Sequence, residues 1–329
     1  MFEKLSTWRP SASIENLKAR AKIISTIREF FAARDVWEVE TPLLNVGATT
    51  DVYIESFKTQ YHALGSKTTH TFYLPTSPEF AMKRLIAAGS GCIFQISKTF
   101  RNGECGRWHQ PEFTLLEWYR IDFDHHALMR EVDALLTLIL KTRPAKKYSY
   151  AELFKEFLKF DPHTASLKEL VAYLAYQDIT VDFGEQIPTQ DTYLQLLLSH
   201  CIEPHLGFDE PVFIYDFPAS QAALARIQPG SPPLAARFEV YVRGMELANG
   251  FYELTDAAEQ EQRFLQDQQQ RQRLGLATVP YDAALIAALT AGLPNCAGVA
   301  LGMDRLVMLA LQSEHIKEVI SFEIPLTSL

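Results

Sequence analysis

The sequence contains little cysteine, and its cysteines are not spaced for metal binding or for a disulfide framework. There are four in 329 residues, Cys92, Cys105, Cys201 and Cys296, and no two of them form a C-x-x-C pair. Neither a structural zinc site nor a dense set of disulfides is indicated. We interpret the four as reduced thiols of a cytoplasmic protein.

The sequence also lacks a long apolar run and an excess of positive charge. No apolar stretch approaches the ~18 residues of a transmembrane helix, and the first segment carries charges where a signal peptide needs apolar residues. Forty acidic against 31 basic residues give a net charge of −9, which offers no overall positive field to a polyanion. We expect no membrane segment and regard a nucleic-acid partner as disfavoured.

Apolar residues, in contrast, are abundant enough for a large core. They make up 47% of the chain, with 22% charged residues, a composition typical of globular proteins. At about 150 residues per domain, the length allows two domains or one enlarged domain.

Hydrophobic periodicity predicts a helix and a short strand at the start of the chain. Apolar residues recur at spacings of three and four from Ile14 to Phe31, which is typical of an amphipathic helix. Residues 36–40 then alternate like a half-buried strand, and Pro42 ends it by removing a ladder donor.

Further along, two strands are predicted at 93–101 and 112–119, joined by a polar, glycine-containing loop, and we expect them to pair antiparallel. S-x-x-E capping boxes at 149–152 and 166–169 predict two helices. Strand patterns return at 212–215 and 238–242. The helices therefore form an insertion between segments of the sheet.

The segment FRNGECGRWHQPEFTLLEWY at 100–119 resembles motif 2 of the class II aminoacyl-tRNA synthetases, in the form found in lysyl-tRNA synthetases. We place this motif at about 93–120. Two further segments resemble motif 1, at about 14–43, and motif 3, at about 296–311. The segments TSPE at 76–79 and ELANGFYEL at 246–254 match other elements of the lysyl enzymes.

The resemblance implies an α+β fold in which an antiparallel sheet is flanked by helices. The helical insertion, at about 141–205, then lies between motif 2 and motif 3. We expect residues 1–329 to form one class II synthetase-like catalytic domain, and the family's motif 1 implies a homodimer.

Side-chain alternation places Phe113, Leu115, Glu117 and Tyr119 on one face of the second motif 2 strand. At ~3.3 Å per residue, this face extends roughly 20 Å, the scale of an aminoacyl-adenylate. One end of the strand can stack a base while the other end holds an ammonium group.

The resemblance implies an ATP site. Its residues are Arg101, Asn102, Gly103, His109, Gln110, Phe113, Glu246, Leu247, Gly302 and Arg305. Adenine lies between Phe113 and Arg305 in the family, and Arg101 holds the α-phosphate and the substrate carboxylate. Glu246 binds Mg²⁺, which neutralises phosphate charge, and His109 contacts pyrophosphate. Arg101, Glu246 and Arg305 are the expected catalytic residues.

The resemblance also implies a site for a diamino acid. Its residues are Ser77, Pro78, Glu79, Glu117, Tyr119, Asn249, Glu253 and Ala300. Glu117, Tyr119 and Glu253 clamp the distal ammonium group, and Asn249 meets the carboxylate. Two carboxylates around one site require a cation, which favours a lysine-like substrate.

The chain departs from the lysyl-tRNA synthetase pattern in four ways, and the first two bear on the expected acceptor and substrate. The motif 1 helix begins near Ile14, so we expect no anticodon-binding domain before it. Where those enzymes read GLGIGIDR, this chain reads GVALGMDR at 298–305, and the extra methyl group of Ala300 favours a β-amino over an α-amino group. Gly103 replaces a glutamate, and Gln110 replaces an asparagine.

A free-standing core of this kind, with the segments 217–225 and 244–251, resembles the elongation factor P (R)-β-lysine ligases. These enzymes activate (R)-β-lysine with ATP and transfer it to a lysine of elongation factor P, so tRNA is not the expected partner. Two alternatives remain. One is a truncated lysyl-tRNA synthetase that charges tRNA, and the other is an inactive synthetase paralogue that senses an amino acid. The second is disfavoured by four retained residues, Arg101, Glu246, Glu253 and Arg305.

Overall fold

The computed structural model describes residues 8–65, 67–181 and 188–324. Within these ranges the helices are α1 Ile14–Ala32, α2 Glu79–Ala87, α3 His125–Leu140, α4 Tyr150–Leu158, α5 Leu167–Tyr176, α6 Gln190–Leu197, α7 Ala257–Arg273, α8 Ala283–Gly292 and α9 Met303–Leu311. The strands are β1 Trp37–Glu38, β2 Lys58–His62, β3 Thr69–Tyr73, β4 Ile93–Phe100, β5 Glu112–Ile121, β6 Lys146–Ser149, β7 Val212–Pro218, β8 Ile227–Gln228, β9 Leu234–Val242, β10 Met245–Tyr252 and β11 Cys296–Gly302. No helix of these described segments combines the length and apolar character needed to cross a bilayer.

The chain divides into two compact units. Unit 1 comprises Met1–Tyr119, Asp256–Pro294 and Ala300–Leu329, and unit 2 comprises Arg120–Thr255 and Asn295–Val299. The boundary passes through β11, whose first residues belong to unit 2 and whose last residues belong to unit 1. The expectation of a single catalytic domain over 1–329 stays a prediction.

In unit 1, helix α1 forms where the periodicity predicts it. Ser13 caps its first turn by accepting a hydrogen bond from the Asn16 backbone N–H, as N-cap serines do. Its buried residue Phe31 stacks on Phe94 of β4, with ring centroids 4.5 Å apart. Residues on this helix face thereby anchor α1 to the strand that precedes the motif 2 loop.

The first predicted strand is shorter than the pattern 36–40 indicates. Only Trp37 and Glu38 pair, parallel to β4, and both are exposed, whereas Val36 and Val39 are buried. The Val36 N–H donates to the carbonyl of Phe31 at the end of α1. The valines therefore turn inward at the two ends of the segment, and regular alternation does not develop.

The two motif 2 strands are confirmed and extend the unit 1 sheet. Strand β4 pairs antiparallel with β5 over its whole length, from Ile93 opposite Tyr119 to Phe100 opposite Glu112. Strands β2 and β3 form a separate antiparallel hairpin. Helix α2 packs against α8, and α8 against α7.

Helix α7 is rich in glutamine and has one buried face. Gln260, Phe264 and Arg271 are its buried residues. The Arg271 guanidinium is 1% exposed and donates to the carbonyls of Asp51 and Ala277 at 2.8 and 2.9 Å. A buried guanidinium needs such acceptors, so one face of α7 serves as a clamp for the segment after motif 1.

In unit 2, β9 pairs antiparallel with β7, β8 and β10, and β6 pairs parallel with β7. Helix α3 packs on β9 and β10, and α4 packs on β6 and β7. The α+β class is confirmed. The described strand pairs β4–β5, β7–β9, β8–β9 and β9–β10 are antiparallel, while β1–β4 and β6–β7 are parallel, so the sheet is mixed.

The predicted helical insertion is also present in unit 2. Both capping boxes form, at Ser149 for α4 and at Ser166 for α5. The insertion has its own apolar core, in which Tyr150 stacks on Phe154 at 4.6 Å and contacts Phe217 at 5.0 Å. Of the insertion expected at about 141–205, residues 182–187 lie outside the described residues.

Candidate active site

The face of β5 predicted to carry the site continues onto β4. Glu117, 1% exposed, lies opposite Gln95, 3% exposed, and Leu115 lies opposite Ser97. Directly opposed residues of an antiparallel pair project from the same face. The Gln95 Oε1 and Ser97 Oγ atoms are buried and make no hydrogen bond within the described ranges. The result is a buried polar surface around Glu117.

Gln95 and Ser97 were not among the predicted site residues. The sequence does carry a signal for them, because polar side chains at 95, 97 and 99 occupy alternate positions of a strand whose other inward residues are apolar. Such a strand exposes a polar face to whatever lies beside it. Identifying that face as the one containing Glu117 requires the β4–β5 register.

The segment Ser77–Glu79 reaches Glu117 from the start of α2. The Ser77 hydroxyl donates to Glu117 Oε1 at 2.5 Å and accepts from the Glu79 N–H at 3.1 Å. Pro78 is the N-cap residue of α2. The Glu79 carboxylate forms an ion pair with buried Lys83 at 2.6 Å. This segment of the predicted amino-acid site therefore contacts Glu117 through Ser77, while the charge of Glu79 is neutralised by Lys83 of the same helix.

The motif 2 loop begins at Arg101, whose guanidinium lies 5.1 Å from the Phe113 ring centroid. Its Nη1 is 3.6 Å from the carboxylate of Glu104. The Nε atom is buried and makes no hydrogen bond to the described part of the protein. A buried guanidinium donor of this kind suits an oxyanion that the protein itself does not supply.

The backbone conformation of this loop explains why residue 103 is a glycine. Its φ of +86° lies in the left-handed region, which glycine adopts with little strain. The acidic side chain comes one residue later, at Glu104, and pairs with Arg101. Just before the glycine, the Asn102 N–H donates to the Glu55 carbonyl at 2.8 Å. Glu55 is itself held by Arg271 at 2.7 Å, so the clamp on α7 fixes the start of the loop.

His109 and Arg305 meet at the other end of the loop. Arg305 Nη2 donates to His109 Nε2 at 2.5 Å, so this histidine nitrogen accepts and the ring is neutral. Burial, then repulsion from Arg305, lowers the pKa of His109, and Glu104 opposes the shift. A Cβ built on Gly302 would lie 3.6 Å from the Arg305 side chain. His109, Gly302 and Arg305 therefore lie together, with the Arg305 guanidinium supplying a positive charge.

Three further predicted residues belong to unit 1. Gln110 is buried, and its Oε1 accepts from the Ile324 N–H at 3.2 Å. It thus joins the loop to the segment that follows α9. Ala300 is half-buried within β11, two residues before Gly302. Tyr119, 3% exposed, lies opposite Ile93 at the far end of the β5 face.

Unit 2 contains the remaining four predicted residues, on or just after β10. A β-bulge between Glu246 and Ala248 makes Leu247 the extra residue, so Glu246 lies opposite Tyr241 and Asn249 lies opposite Glu239. A regular strand would place residues three apart on opposite faces. The bulge instead places Glu246 and Asn249 on the same face.

That face also includes a buried polar network on β9. Arg237 donates to Asn249 Oδ1 at 3.2 Å and to Glu239 at 2.5 Å. The Tyr241 hydroxyl donates to Glu239 Oε2 at 2.6 Å. Burial first, and then the charges of Glu239 and Glu246, raise the pKa of Tyr241 well above its ordinary value. Arg237, Glu239 and Tyr241 were not among the predicted site residues, because it is the bulge that brings the Glu239–Asn249 pair onto the same face as Glu246.

Glu253 follows β10 and is 1% exposed. Its N–H donates to the Cys296 carbonyl at 3.0 Å, and its own carbonyl accepts from Arg226 at 3.3 Å. Within the motif before it, Gly250 has no room for a side chain. A Cβ there would lie 2.4 Å from the Phe238 ring. The position of the backbone at Glu253 is therefore fixed by its own hydrogen bonds and by the close packing at Gly250.

Comparison with known proteins identifies a family and several close relatives in sequence. A sequence model of the family described as tRNA synthetases class II (D, K and N) matches residues 3–325. A curated protein of Vibrio cholerae named elongation factor P (R)-β-lysine ligase is 53% identical over 320 residues, which cover 97% of this chain and 98% of the relative. Proteins of the same name from Pseudoalteromonas translucida and Salmonella gallinarum are 53% and 50% identical over 320 and 323 residues. They cover 97% and 98% of this chain, and 98% and 99% of their own lengths.

Proposed function

The chain belongs to the class II tRNA synthetase family, and from that premise we propose that it is an ATP-dependent ligase that joins (R)-β-lysine to elongation factor P. The observation that carries the proposal is the 50–53% identity to ligases of that name over nearly the whole of both chains. Two groups of contacts support it: the arginine and histidine side chains at the two ends of the motif 2 loop suit a nucleotide, and the buried carboxylate of Glu117 suits a cationic amino acid.

The nucleotide end is supported by the group formed by Phe113, Arg101, His109 and Arg305. We propose that adenine stacks between Phe113 and the Arg305 guanidinium, an arrangement favoured by aromatic–cation attraction. Arg101 then binds the α-phosphate with its buried Nε. By binding an oxyanion there, Arg101 stabilises the charge that develops when a substrate carboxylate oxygen attacks the α-phosphorus and pyrophosphate leaves.

The amino-acid end is supported by the burial of Glu117 and Glu253. Each carboxylate is 1% exposed, and buried carboxylates favour a cation as partner. We propose that they clamp the distal ammonium group of β-lysine together with Tyr119, while the segment at 77–79 meets the inner amino group and Asn249 meets the carboxylate. Arg237 would hold the Asn249 amide in the orientation that contact needs.

We propose that Glu246 is the residue that holds a magnesium ion. Glu246 and Glu239 lie on the same face of the β9–β10 pair, and Glu203 Oε1 lies 3.0 Å from the Tyr241 hydroxyl oxygen. Mg²⁺ in nucleotide sites is held by one or two carboxylates together with phosphates, so Glu246, with Glu239 beside it, would hold it. When bound, the ion neutralises phosphate charge.

In the second step, the ε-amino group of the acceptor lysine attacks the carbonyl carbon of the mixed anhydride. AMP leaves, and an amide forms. The attacking amine must first lose a proton, since the ordinary pKa of lysine is about 10.4. The residues of the candidate site contribute by positioning, because they hold the anhydride at both ends.

We also propose a homodimer and a cytoplasmic location. The segment after α1 exposes several apolar side chains: Trp37 is 53%, Leu44 51% and Val46 72% exposed. A second copy of the chain would cover such a surface. All four cysteines are free thiols, which fits a reducing compartment.

The test is to incubate the protein with ATP and either (R)-β-lysine or α-lysine, with elongation factor P and tRNA offered in separate reactions. We expect AMP release and a gain of one β-lysyl group by elongation factor P, measured by intact-protein mass spectrometry. Charging of tRNA with no change in elongation factor P would establish the truncated synthetase instead. Absence of AMP in every reaction would establish an inactive paralogue.

A further inference from the structure

Three segments of unit 1 that are far apart in sequence meet at one buried ion pair. Arg20 of α1 lies 2.7 Å from Asp304 Oδ1 in the first turn of α9, with side-chain exposures of 15% and 4%. The second Arg20 amino group donates to Thr114 Oγ1 on β5 at 3.1 Å. Asp304 Oδ2 accepts from the Thr114 backbone N–H at 2.8 Å. The three residues form a closed triangle, in which each one contacts the other two.

Two members of the triangle are sequence neighbours of residues that we propose bind the nucleotide. Thr114 follows Phe113, and Asp304 precedes Arg305. Asp304 binds the backbone of β5, so it fixes the main chain at Phe113 relative to the first turn of the helix that carries Arg305. A carboxylate in the first turn of a helix is favourable, because the helix dipole is positive there.

We propose that Arg20 is a positioning residue for the ATP site. Its guanidinium reaches Asp304 and Thr114 at once, and this planar fork holds both acceptors at fixed angles. Without it, Asp304 keeps a single contact with β5 and the first turn of α9 can rotate about it. In this proposal Arg20 does not contact the substrate. It keeps Phe113 and Arg305 at the distance from each other that ATP binding needs. The inference rests on the proposed roles of those two residues in binding ATP.

A purely structural role for Arg20 makes a different prediction. Loss of stability alone lowers the unfolding temperature and leaves the affinity of the folded protein for ATP unchanged. Loss of positioning weakens ATP binding in the folded protein, while β-lysine binding is retained. The Glu117 end of the site is attached through β4 and α2 instead, at Gln95 and Ser77.

The experiment compares Arg20→Met, Arg20→Lys and Thr114→Val with the wild type. Lys18→Ala is the matched control, since Lys18 is an exposed cation two residues earlier on the same helix. For each protein the ATP dissociation constant is measured by calorimetric titration below the unfolding temperature. The KM values for ATP and for β-lysine are measured by ATP–pyrophosphate exchange.

For Arg20→Met we expect the ATP dissociation constant and KM to rise about tenfold, or ~1.4 kcal/mol, with the KM for β-lysine unchanged. Arg20→Lys should recover part of the loss, and Lys18→Ala should match the wild type. Thr114→Val keeps the hydrogen bond from the backbone N–H to Asp304 and loses only the hydroxyl that Arg20 contacts. This variant therefore tests the positioning role if Arg20→Met does not fold. We expect a severalfold rise in the ATP dissociation constant.

Unchanged ATP affinity in the folded variants would overturn the proposal, and so would an equal rise in the KM values for ATP and β-lysine. The direct titration separates this result from a failure of the proposed function. If the wild type binds ATP and makes no β-lysyl-adenylate, the function is wrong, and the ratio of ATP affinities still decides the role of Arg20.

Discussion

Glu117 is a carboxylate that the protein keeps away from water. It is 1% exposed, it accepts the Ser77 hydroxyl at 2.5 Å, and it lies opposite Gln95. A buried carboxylate costs free energy unless charge and hydrogen bonds compensate for lost hydration. In the proposed clamp, a substrate ammonium group would provide that compensation, so the charge of Glu117 should decide whether β-lysine binds.

We predict that Glu117→Gln lowers kcat/KM for β-lysine in ATP–pyrophosphate exchange by about 100-fold or more. A charge-assisted hydrogen bond is replaced by a neutral one, and the desolvated ammonium loses its counter-charge. Glu253→Gln should behave alike. ATP affinity should be unchanged in both variants. The control is Glu112→Gln, which alters an exposed glutamate on the same strand. Near wild-type exchange in both test variants would contradict the clamp.

Ala300 permits a test of substrate choice at a single methyl group. If that methyl group excludes an α-amino group, Ala300→Gly should raise the ratio of kcat/KM for α-lysine to that for β-lysine by about tenfold, since one methyl-sized change in a pocket discriminates on that scale. The measurement is exchange with each isomer in turn. An unchanged ratio would count against the steric explanation.

His109 gives the protein a pH dependence with a definite sign. Burial and Arg305 lower its pKa below the ordinary value of 6.5. The unfolded chain therefore takes up this proton more readily than the folded one. The contribution of neutral His109 to stability is fully present above pH 6.5 and is lost as the pH falls through the lower folded value.

We predict that the free energy of unfolding of the wild type falls relative to that of His109→Gln as the pH drops below about 6.5. Urea titrations of both proteins between pH 5 and pH 8 measure the difference. His126 and His163 also have lowered pKa values, but both proteins retain them, so their effects cancel. Parallel curves for the two proteins would contradict the assignment.

At the scale of elements, β9 and β10 approach each other too closely for a side chain at Gly250. A Cβ placed on this glycine would lie 2.4 Å from the Phe238 ring and 3.0 Å from Val299. Phe238 is fully buried, so its ring cannot swing away without disturbing the core. The same two strands carry Glu246 and Asn249, and the close approach therefore sets the spacing of the network around them.

We predict that Gly250→Ala lowers the free energy of unfolding by about 1–3 kcal/mol, the usual cost of overpacking a core. Phe238→Leu in the same chain should recover part of that loss, because it removes the ring atoms that clash. Gly106→Ala is the control, since a Cβ there meets nothing within 4 Å. Equal losses in the two alanine variants, measured by urea unfolding, would show that the contact is unimportant.

Local patterns were sufficient to predict several elements. The periodicity of α1, the motif 2 strands and the capping boxes at Ser149 and Ser166 depend on neighbours a few residues apart, and all are observed. The bulge at Leu247 could not be predicted, because it is defined by register against β9. The burial of Arg271 likewise depends on Asp51 and Glu55, more than 200 residues away.

At the scale of the whole molecule, the family resemblance located the candidate site, and the physical contacts of its residues came from the structure. The motifs indicated Glu117 and Arg305, but the partners Ser77 and His109 are 40 and 196 residues distant from them. Arg20, Arg237 and Glu239 had no sequence signal of their own. The contacts of each residue can be identified only from the folded structure, because they join segments that are distant in the sequence.

The attachment of α1 to the last described segment has a consequence for synthesis. The Asn16 side chain donates to the Glu318 carbonyl, 302 residues later, and the Ser11 N–H donates to the Ser321 carbonyl at 2.9 Å. During synthesis, α1 is made 302 residues ahead of the segment that its Asn16 side chain contacts, since translation runs from the N-terminus. The helix cannot complete these contacts until that segment has been made. A nascent chain that lacks Asp304 and the segment after it cannot close the Arg20 triangle, so we expect ATP binding to arise only after these residues have been translated.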